Sequence, residues 1–294
     1  MALVLNKPGF QRLDDDLFKR KELNVFVLRD DLIHPFVSGN KWRKLKYNIE
    51  NFRQEAKEYL ITFGGAYSNH IVATASAGKE YGIKTIGIIR GEELKSHSNS
   101  SLRFAEQCGM KLIFVSREKY RELREKNSLV VSELRIPDSR LYILPEGGSN
   151  ELAVKGCSEI TKDIPVDFDF IACACGTGTT LAGITSSLKN HQQAIGVSVF
   201  KGMETSCSEL RIFANVRIHE MRVKMLYDYH FGGYGKSTTE LEDFCSLFYS
   251  QHQIPIEPIY TGKLVFGIYD LIKKDFFERG KTIVLVHTGG VLNF

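Results

Sequence analysis

The sequence predicts an α/β fold of mostly parallel sheets in two lobes, and three observations carry that expectation. Short apolar, β-rich runs alternate with longer stretches of helical character, as they do where crossover helices join parallel strands. Four of those runs end in glycine, in ITFGGAYSNH, ILPEGGSN, CACGTGTT and LVHTGG. Parallel α/β sheets bind ligands at the carboxyl ends of strands, and glycine lets a backbone come close to a ligand. At 294 residues the chain is also long enough for two lobes of ordinary domain size.

In chain order the expected strands are YLITF (59–63), KTIGIIR (84–90), KLIFVS (111–116), LYIL (141–144), FDFIACAC (168–175), AIGVSVF (194–200) and TIVLVH (282–287). SGNKWRKLKYNIENF reads as a helix beginning near Gly39, with Trp42, Leu45 and Ile49 on one stripe. REKYRELREK, at 117–126, interleaves Glu with Lys and Arg as an exposed helix does. The strands before Gly148 and those after Ala153 read as two sheets, with the N-terminal segment expected to return to the second lobe. Cys173 and Cys175 alternate onto one face of their strand, where packing is the better account than metal binding.

Composition narrows the function. Lys plus Arg number 39 against 35 Asp plus Glu, and a net charge of +4 is too small to argue for nucleic acid. No apolar run approaches the ~20 residues that span a bilayer. MALVLNKPGF lacks the charged-then-apolar layout of an export signal. The six cysteines, at 108, 157, 173, 175, 207 and 245, show no spacing typical of zinc sites or disulfide frameworks. Together these features point to a reducing cytoplasm, with no membrane, nucleic-acid or metal partner expected.

Three stretches carry chemistry. In FDFIACACGTGTTLAGITSSL a buried strand ends in Gly176-Thr177-Gly178-Thr179-Thr180 and a small-residue helix follows, so N–H groups and hydroxyls converge on an anion, phosphate by preference. No Gly-Lys-Ser/Thr follows, and the glycine spacing is not that of a dinucleotide fingerprint. In TFGGAYSNHIVATASAG, Ser68-Asn69-His70 opens a second helix, either as a plain structural cap or as a cradle for a substrate carboxylate. Lys41 and Lys44 share a face near a helix N-terminus, where the dipole disfavours an ammonium, and a neutral amine can condense with an aldehyde. Lysine-rich helix faces are common, so this last signal is weak alone. An aldehyde-binding lysine, a phosphate cradle and a carboxylate cradle together point to pyridoxal 5'-phosphate and an amino-acid substrate.

The ordered motifs RDDLIHPFVSGNKWRKL, FGGAYSNH, PEGGSN, CGTGTTLAG, PIYTGK and HTGG resemble the 1-aminocyclopropane-1-carboxylate deaminase and D-cysteine desulfhydrase family, with the tryptophan synthase β-like fold, over most of the chain. The resemblance implies a two-lobed, three-layer αβα fold with mostly parallel twisted sheets. It also implies a large cofactor-binding domain of residues 1–49 plus 149–294 and a small domain of 50–148, with the active site between them. Lys41 is then the lysine that carries the cofactor, and Lys44 reaches its phosphate with Thr177, Gly178, Thr179 and Thr180. Asn69 bonds the phenolic oxygen. Ser68 and the amides beside it take the substrate carboxylate, with Ser68 also placed for proton transfer, and His70 stands near the substrate. Tyr260 lies beside the ring and the substrate, and Thr288 near the pyridine nitrogen, where a hydroxyl tempers the electron sink. Arg43 and Lys46 keep a surface reading.

Two departures from the family pattern matter. Thr261 follows Tyr260 where ring-opening deaminases typically carry Glu, which leans towards the desulfhydrase branch, and Tyr67 stands where the family commonly has Gln. The expected protein is a homodimeric lyase that eliminates a β substituent from a small, D-configured amino acid. Ring-opening deamination of 1-aminocyclopropane-1-carboxylate and a cofactor-binding homologue without turnover are the alternatives.

Overall fold

The computed structural model describes residues 3–202 and 222–291; Cys207 lies outside them. In chain order the described strands are β1 Gly9–Arg12, β2 Asn24–Arg29, β3 Tyr59–Gly64, β4 Lys84–Arg90, β5 Lys111–Val115, β6 Leu141–Ile143, β7 Phe170–Cys175, β8 Gln193–Ser198, β9 Val223–Leu226 and β10 Thr282–Val286. The helices are α1 Asp16–Arg20, α2 Asn40–Gln54, α3 Asn69–Tyr81, α4 Ser100–Gln107, α5 Arg117–Glu125, α6 Asn127–Leu134, α7 Glu151–Cys157, α8 Thr179–Ser186, α9 Thr239–His252 and α10 Thr261–Lys273. All seven expected strands are present. The chain forms two compact units.

The first unit comprises residues 3–5 and His34–Ala153. Its four strands run parallel in the order β5-β4-β3-β6. Alternation along β3 sends Leu60 to one face, against Leu45, Ile49, Phe52, Ala73 and Ala77 of α2 and α3. Ile61 and Phe63 go to the other, against Tyr120, Leu123 and Val130 of α5 and α6. The charged run at 117–126 is thus an amphipathic helix, with Tyr120 and Leu123 as its buried stripe. Helix α3 packs tightly because its buried face is built of Ala73, Ala75, Ala77 and Gly78.

The second unit comprises Asn6–Ile33 and the described part of Val154–Val291. Its sheet has the order β1-β2-β10-β7-β8-β9, parallel throughout except for β1, which pairs antiparallel with β2. The N-terminal segment therefore joins the second sheet, through Thr282↔Asn24 to Val286↔Leu28. Ala172, Ala174, Ile195 and Ile283 face Phe248, Leu264 and Ile268 of α9 and α10. Cys173 and Cys175 pack on the opposite face with Cys157, Leu181 and Ile184, as their alternation predicts. Each unit is a three-layer αβα body.

The structure draws the division elsewhere than at residues 49 and 148. Leu45, Ile49 and Phe52 of α2 are buried on the first unit's sheet, each such side chain contributing about 1.5–3 kcal/mol, so residues 34–49 belong there. The PEGGSN turn joins them, because Asn150 is bonded to Asn48 of α2. Arg43 also departs from expectation: it is 6% exposed, a buried residue of α2. Lys46 stays half-buried, its Nζ 4.8 Å from the centre of the Tyr47 ring.

Candidate active site

In the first unit, Lys41 lies in the first turn of α2, half-buried, with Nζ donating to Asn40 Oδ1 at 2.7 Å. One turn on, Lys44 is buried and its Nζ donates to the carbonyl of Gly147 in the PEGGSN turn at 3.0 Å. Asn48, a further turn along, accepts from Tyr142 Oη at 2.8 Å and from Asn150 Nδ2 at 2.6 Å. The lysine-bearing helix is thus tied to both β6 and the glycine turn.

Beyond β3, Ser68 caps α3 by accepting from the N–H of Ile71 at 3.4 Å. The turn is tight because residue 64 has no side chain: a Cβ there would fall 2.7 Å from Ser68 Oγ and 2.5 Å from Ile71 Cγ1. Among the described residues, the side-chain amide of half-buried Asn69 has no hydrogen-bond partner. Ser68 and Asn69 therefore stand at a helix N-terminus with capacity to bind an anion or a polar ring substituent. Tyr67 is 71% exposed.

His70 is placed differently from the expectation that it meets substrate. It is 2% exposed and turned into the unit, with Nε2 2.8 Å from Thr62 Oγ1. Thr62 donates its only proton to the carbonyl of Leu144, at 3.0 Å, so it must accept from His70 Nε2–H. That leaves Nδ1 as the bare nitrogen, and it is buried without a protein partner. Burial, reinforced by the positive charges of Lys41 and Lys44, pushes the His70 pKa well below the usual histidine value. His70 is a neutral brace beneath Ser68 and Asn69, coupling the start of α3 to β3 and to the end of β6.

In the second unit, β7 ends at Cys175 and the chain turns through Gly176, Thr177 and Gly178 into α8. Gly178, at φ +80°, takes the left-handed conformation that lets the turn close. Thr177 Oγ1 and Thr179 Oγ1 lie 3.2 Å apart, and Thr179 and Thr180 are buried. An aromatic wall stands over this turn. A Cβ on Gly176 would meet Tyr260 Cε1 at 3.4 Å and Phe200 Cε2 at 3.8 Å. Tyr234 bridges the two rings, stacked on Phe200 at 5.2 Å and edge-on to Tyr260 at 5.8 Å.

Tyr260 is held from below by Glu257, whose carboxylate accepts from the N–H groups of Ile259 at 2.6 Å, Tyr260 at 3.0 Å and Thr261 at 2.8 Å. The Thr261 hydroxyl adds a bond to the same carboxylate at 3.1 Å, and Thr261 is 1% exposed. Burial raises the Glu257 pKa, and these hydrogen bonds oppose the rise. At the end of β10, His287 Nε2 donates to the carbonyl of Pro255 at 2.7 Å while Nδ1 accepts from Gly289 N–H at 3.2 Å. Thr288 is 7% exposed, and its hydroxyl has no partner among the described residues.

Each unit thus gathers its expected residues: Lys41, Lys44, Ser68 and Asn69 in one, and Thr177–Thr180 and Tyr260 in the other. The turn at Gly176–Thr180 fits a phosphate ester, with hydroxyls and a helix start beneath a wall that a side chain on residue 176 would touch. Thr62, Glu257, Phe200 and Tyr234 were not expected. Only Tyr234 had a sequence signal, the aromatic and glycine-rich HFGGYGK.

Comparison with known proteins agrees with this chemistry. The model of the family described as pyridoxal-phosphate dependent enzymes matches residues 13–289. A Pyrococcus furiosus protein provisionally named a 1-aminocyclopropane-1-carboxylate deaminase is 32% identical over 285 residues, 91% of this chain and 85% of its own. The Arabidopsis thaliana mitochondrial bifunctional D-cysteine desulfhydrase/1-aminocyclopropane-1-carboxylate deaminase is 28% identical, over 91% of this chain and 72% of its own. A crystal structure of an ACC deaminase homologue superposes with a TM-score of 0.85 at 28% identity, covering 99% of this chain and 91% of that one.

Proposed function

Because the chain belongs to the pyridoxal-phosphate dependent enzymes and has the tryptophan synthase β-like fold, we propose that it is a desulfhydrase-like lyase acting on D-cysteine or a close analogue. The products are a keto acid, ammonia and the thiol or sulfide. Pyridoxal 5'-phosphate, when bound, supplies an electron sink for the charge left at the substrate α-carbon.

The chain's own residues do the rest. Lys41 would hold the cofactor through its amine, and its Nζ would accept the substrate α-proton. The start of α3 binds the substrate carboxylate with Ser68 Oγ and the adjacent N–H groups, and Ser68 is the second group able to move that proton. Asn69 orients the cofactor ring through its amide. Thr177, Gly178, Thr179 and Thr180 hold the phosphate, with Lys44 contributing positive charge. Tyr260 flanks the ring and excludes water, and the Thr288 hydroxyl serves the ring nitrogen. His70 braces Ser68 and Asn69 without touching substrate.

The observation that carries the desulfhydrase reading is the Thr261–Glu257 pair. Thr261 is buried with its hydroxyl on the Glu257 carboxylate. A Glu in its place would set two carboxylates against each other in a buried turn, so this chain is not built to offer a carboxylate just after Tyr260. The competing reading, ring-opening deamination of 1-aminocyclopropane-1-carboxylate, is supported by the names of the Pyrococcus relative and the superposed crystal structure. A cytoplasmic homodimer acting on a small amino acid completes the proposal.

One screen separates the readings. The purified protein is to be assayed for keto acid and sulfide with D- and L-cysteine, D- and L-serine and the cyclopropane substrate, alongside its visible spectrum. The expected result is a yellow protein that releases sulfide from D-cysteine. Keto acid from the cyclopropane alone overturns the preference, and a colourless protein that ignores added cofactor overturns the function. Lys41→Ala is expected to abolish both turnover and borohydride trapping of the cofactor, whereas Lys46→Ala leaves both unchanged.

A further inference from the structure

Lys263 is the one lysine of the second unit whose side chain is wholly buried among the described residues, at 0% exposure. It sits in the first turn of α10, two residues after Thr261. Its ammonium does not meet a carboxylate. It donates instead to two main-chain carbonyls, those of His230 and Gly233, each at 2.9 Å. Burying an ammonium is costly unless its donors are satisfied, so a lysine in this position requires a compensating role.

Those carbonyls belong to YDYHFGGYGK, residues 227–236, in which Gly232, Gly233 and Gly235 all have positive φ. Such a segment has little conformational preference of its own and must be held from outside. Helix α10 holds it. Phe231 packs edge-on against Phe266 with ring centres 5.0 Å apart, and Tyr229 lies over Gly267 with its hydroxyl donating to Asp270. Lys263 completes the series at the end nearest Tyr234. The next residue after its Gly233 partner is Tyr234, which is 43% exposed yet stacked on Phe200 and edge-on to Tyr260 over the Gly176 turn.

We infer that Lys263 is a positioning residue, an internal cation that clamps the 227–236 loop so that Tyr234 forms the outer wall above the Gly176–Thr180 turn. The inference deepens the functional reading and rests on it, since the wall matters to turnover only if that turn holds the cofactor. The clamp itself stands on the geometry alone. Burial lowers the Lys263 pKa and the charge of Glu257 opposes the fall, while the two carbonyls favour the ammonium by accepting its hydrogen bonds. Replacing it with an apolar chain leaves both carbonyls short of a charged donor and releases the loop.

The test compares the wild-type protein, Lys263→Met, Tyr234→Ala and the double variant, all with pyridoxal 5'-phosphate present and D-cysteine as substrate. Hydrogen exchange is read at the amides of Gly232, Gly233 and Lys236, which bond within the loop to His230 Nδ1, His230 O and Gly233 O. In Lys263→Met these amides are expected to exchange at least about tenfold faster while amides of β7 do not change. KM is expected to rise about tenfold with kcat within about threefold, because a wall that moves weakens binding before it alters chemistry. Tyr234→Ala should show the same KM, and the double variant no further rise.

A folded Lys263→Met with unchanged loop exchange refutes the clamp. Faster exchange with unchanged KM, or fully additive effects in the double variant, refutes its connection to the wall. If Lys263→Met does not fold, Tyr234→Ala alone decides: a raised KM supports the inference and an unchanged KM overturns it. A wild-type protein that binds no cofactor sinks the functional reading instead, and the exchange measurement still rules on the clamp.

Discussion

Thr62→Val puts the brace beneath the first unit's candidate site under a direct test. Thr62 is fully buried, and its hydroxyl sits between His70 Nε2 at 2.8 Å and the Leu144 carbonyl at 3.0 Å. Valine matches threonine in shape, so the substitution makes no cavity and isolates the polar loss. It strands a buried imidazole N–H and a buried carbonyl, each costing about 1–3 kcal/mol, for a total of about 2–4 kcal/mol after partial relaxation. Urea unfolding of the cofactor-free protein measures it as a lower midpoint at unchanged slope. Thr62→Val/His70→Leu supplies the control. With both ring partners apolar, only the Leu144 carbonyl is left unpaired, so the pair of changes should cost at least about 1 kcal/mol less than the sum of the single ones. A Thr62→Val cost under about 0.5 kcal/mol, or strict additivity, would falsify the assigned hydrogen-bond directions and with them the neutral, braced state of His70.

Two further outcomes follow from the same geometry. His70 and His287 are both buried with depressed pKa values, so the folded state binds fewer protons than the unfolded chain, whose histidines titrate near 6.5. Stability is therefore full above about pH 7 and falls as the pH drops below 6.5, by up to about 1.4 kcal/mol per pH unit for each histidine until its folded value is reached; a flat profile between pH 7 and 5 contradicts this. Gly64→Ala should cost about 1–3 kcal/mol through its clash with Ile71, and should raise KM by displacing Ser68, as thermal melts and steady-state kinetics would show.

The fold was legible where strands are buried on both faces, because such strands read as continuous apolar runs. That explains YLITF, KTIGIIR and FDFIACAC. It does not reach β1, whose GFQR is a short edge segment, or β9, a four-residue edge strand with Lys224 in its middle. NVFVLR carried the pattern locally, but its partner is β10 at the other end of the chain, and pairing at that separation is set by packing that no local run reveals. The unit boundary was misplaced for a related reason. The apolar stripe of α2 was visible as Leu45 and Ile49, yet nothing in the stripe says which sheet it covers.

At the site, sequence spacing located the groups that face outward and missed the groups that hold them. Ser68, Asn69, Lys41 and the Gly176–Thr180 turn lie in motifs because chemistry constrains their order. Thr62 and Glu257 act through backbone carbonyls and N–H groups, which leave no trace in residue identity, and Lys263, although it closes the PIYTGK motif, acts on carbonyls some thirty residues earlier that the motif does not point to. His70 shows the consequence most plainly. Its place beside Asn69 made it look like a ligand, but successive residues of a helix point about 100° apart, so a helix start that offers position 69 outward turns position 70 inward. The same geometry sorts SGNKWRKLK. Lys41 and Lys44 share a face by their spacing of three, and Arg43, which the run of charges suggested was solvated, is buried. Charge in a helix run thus marks which side chains can be ionic, whereas the phase of the helix decides which of them are available to chemistry.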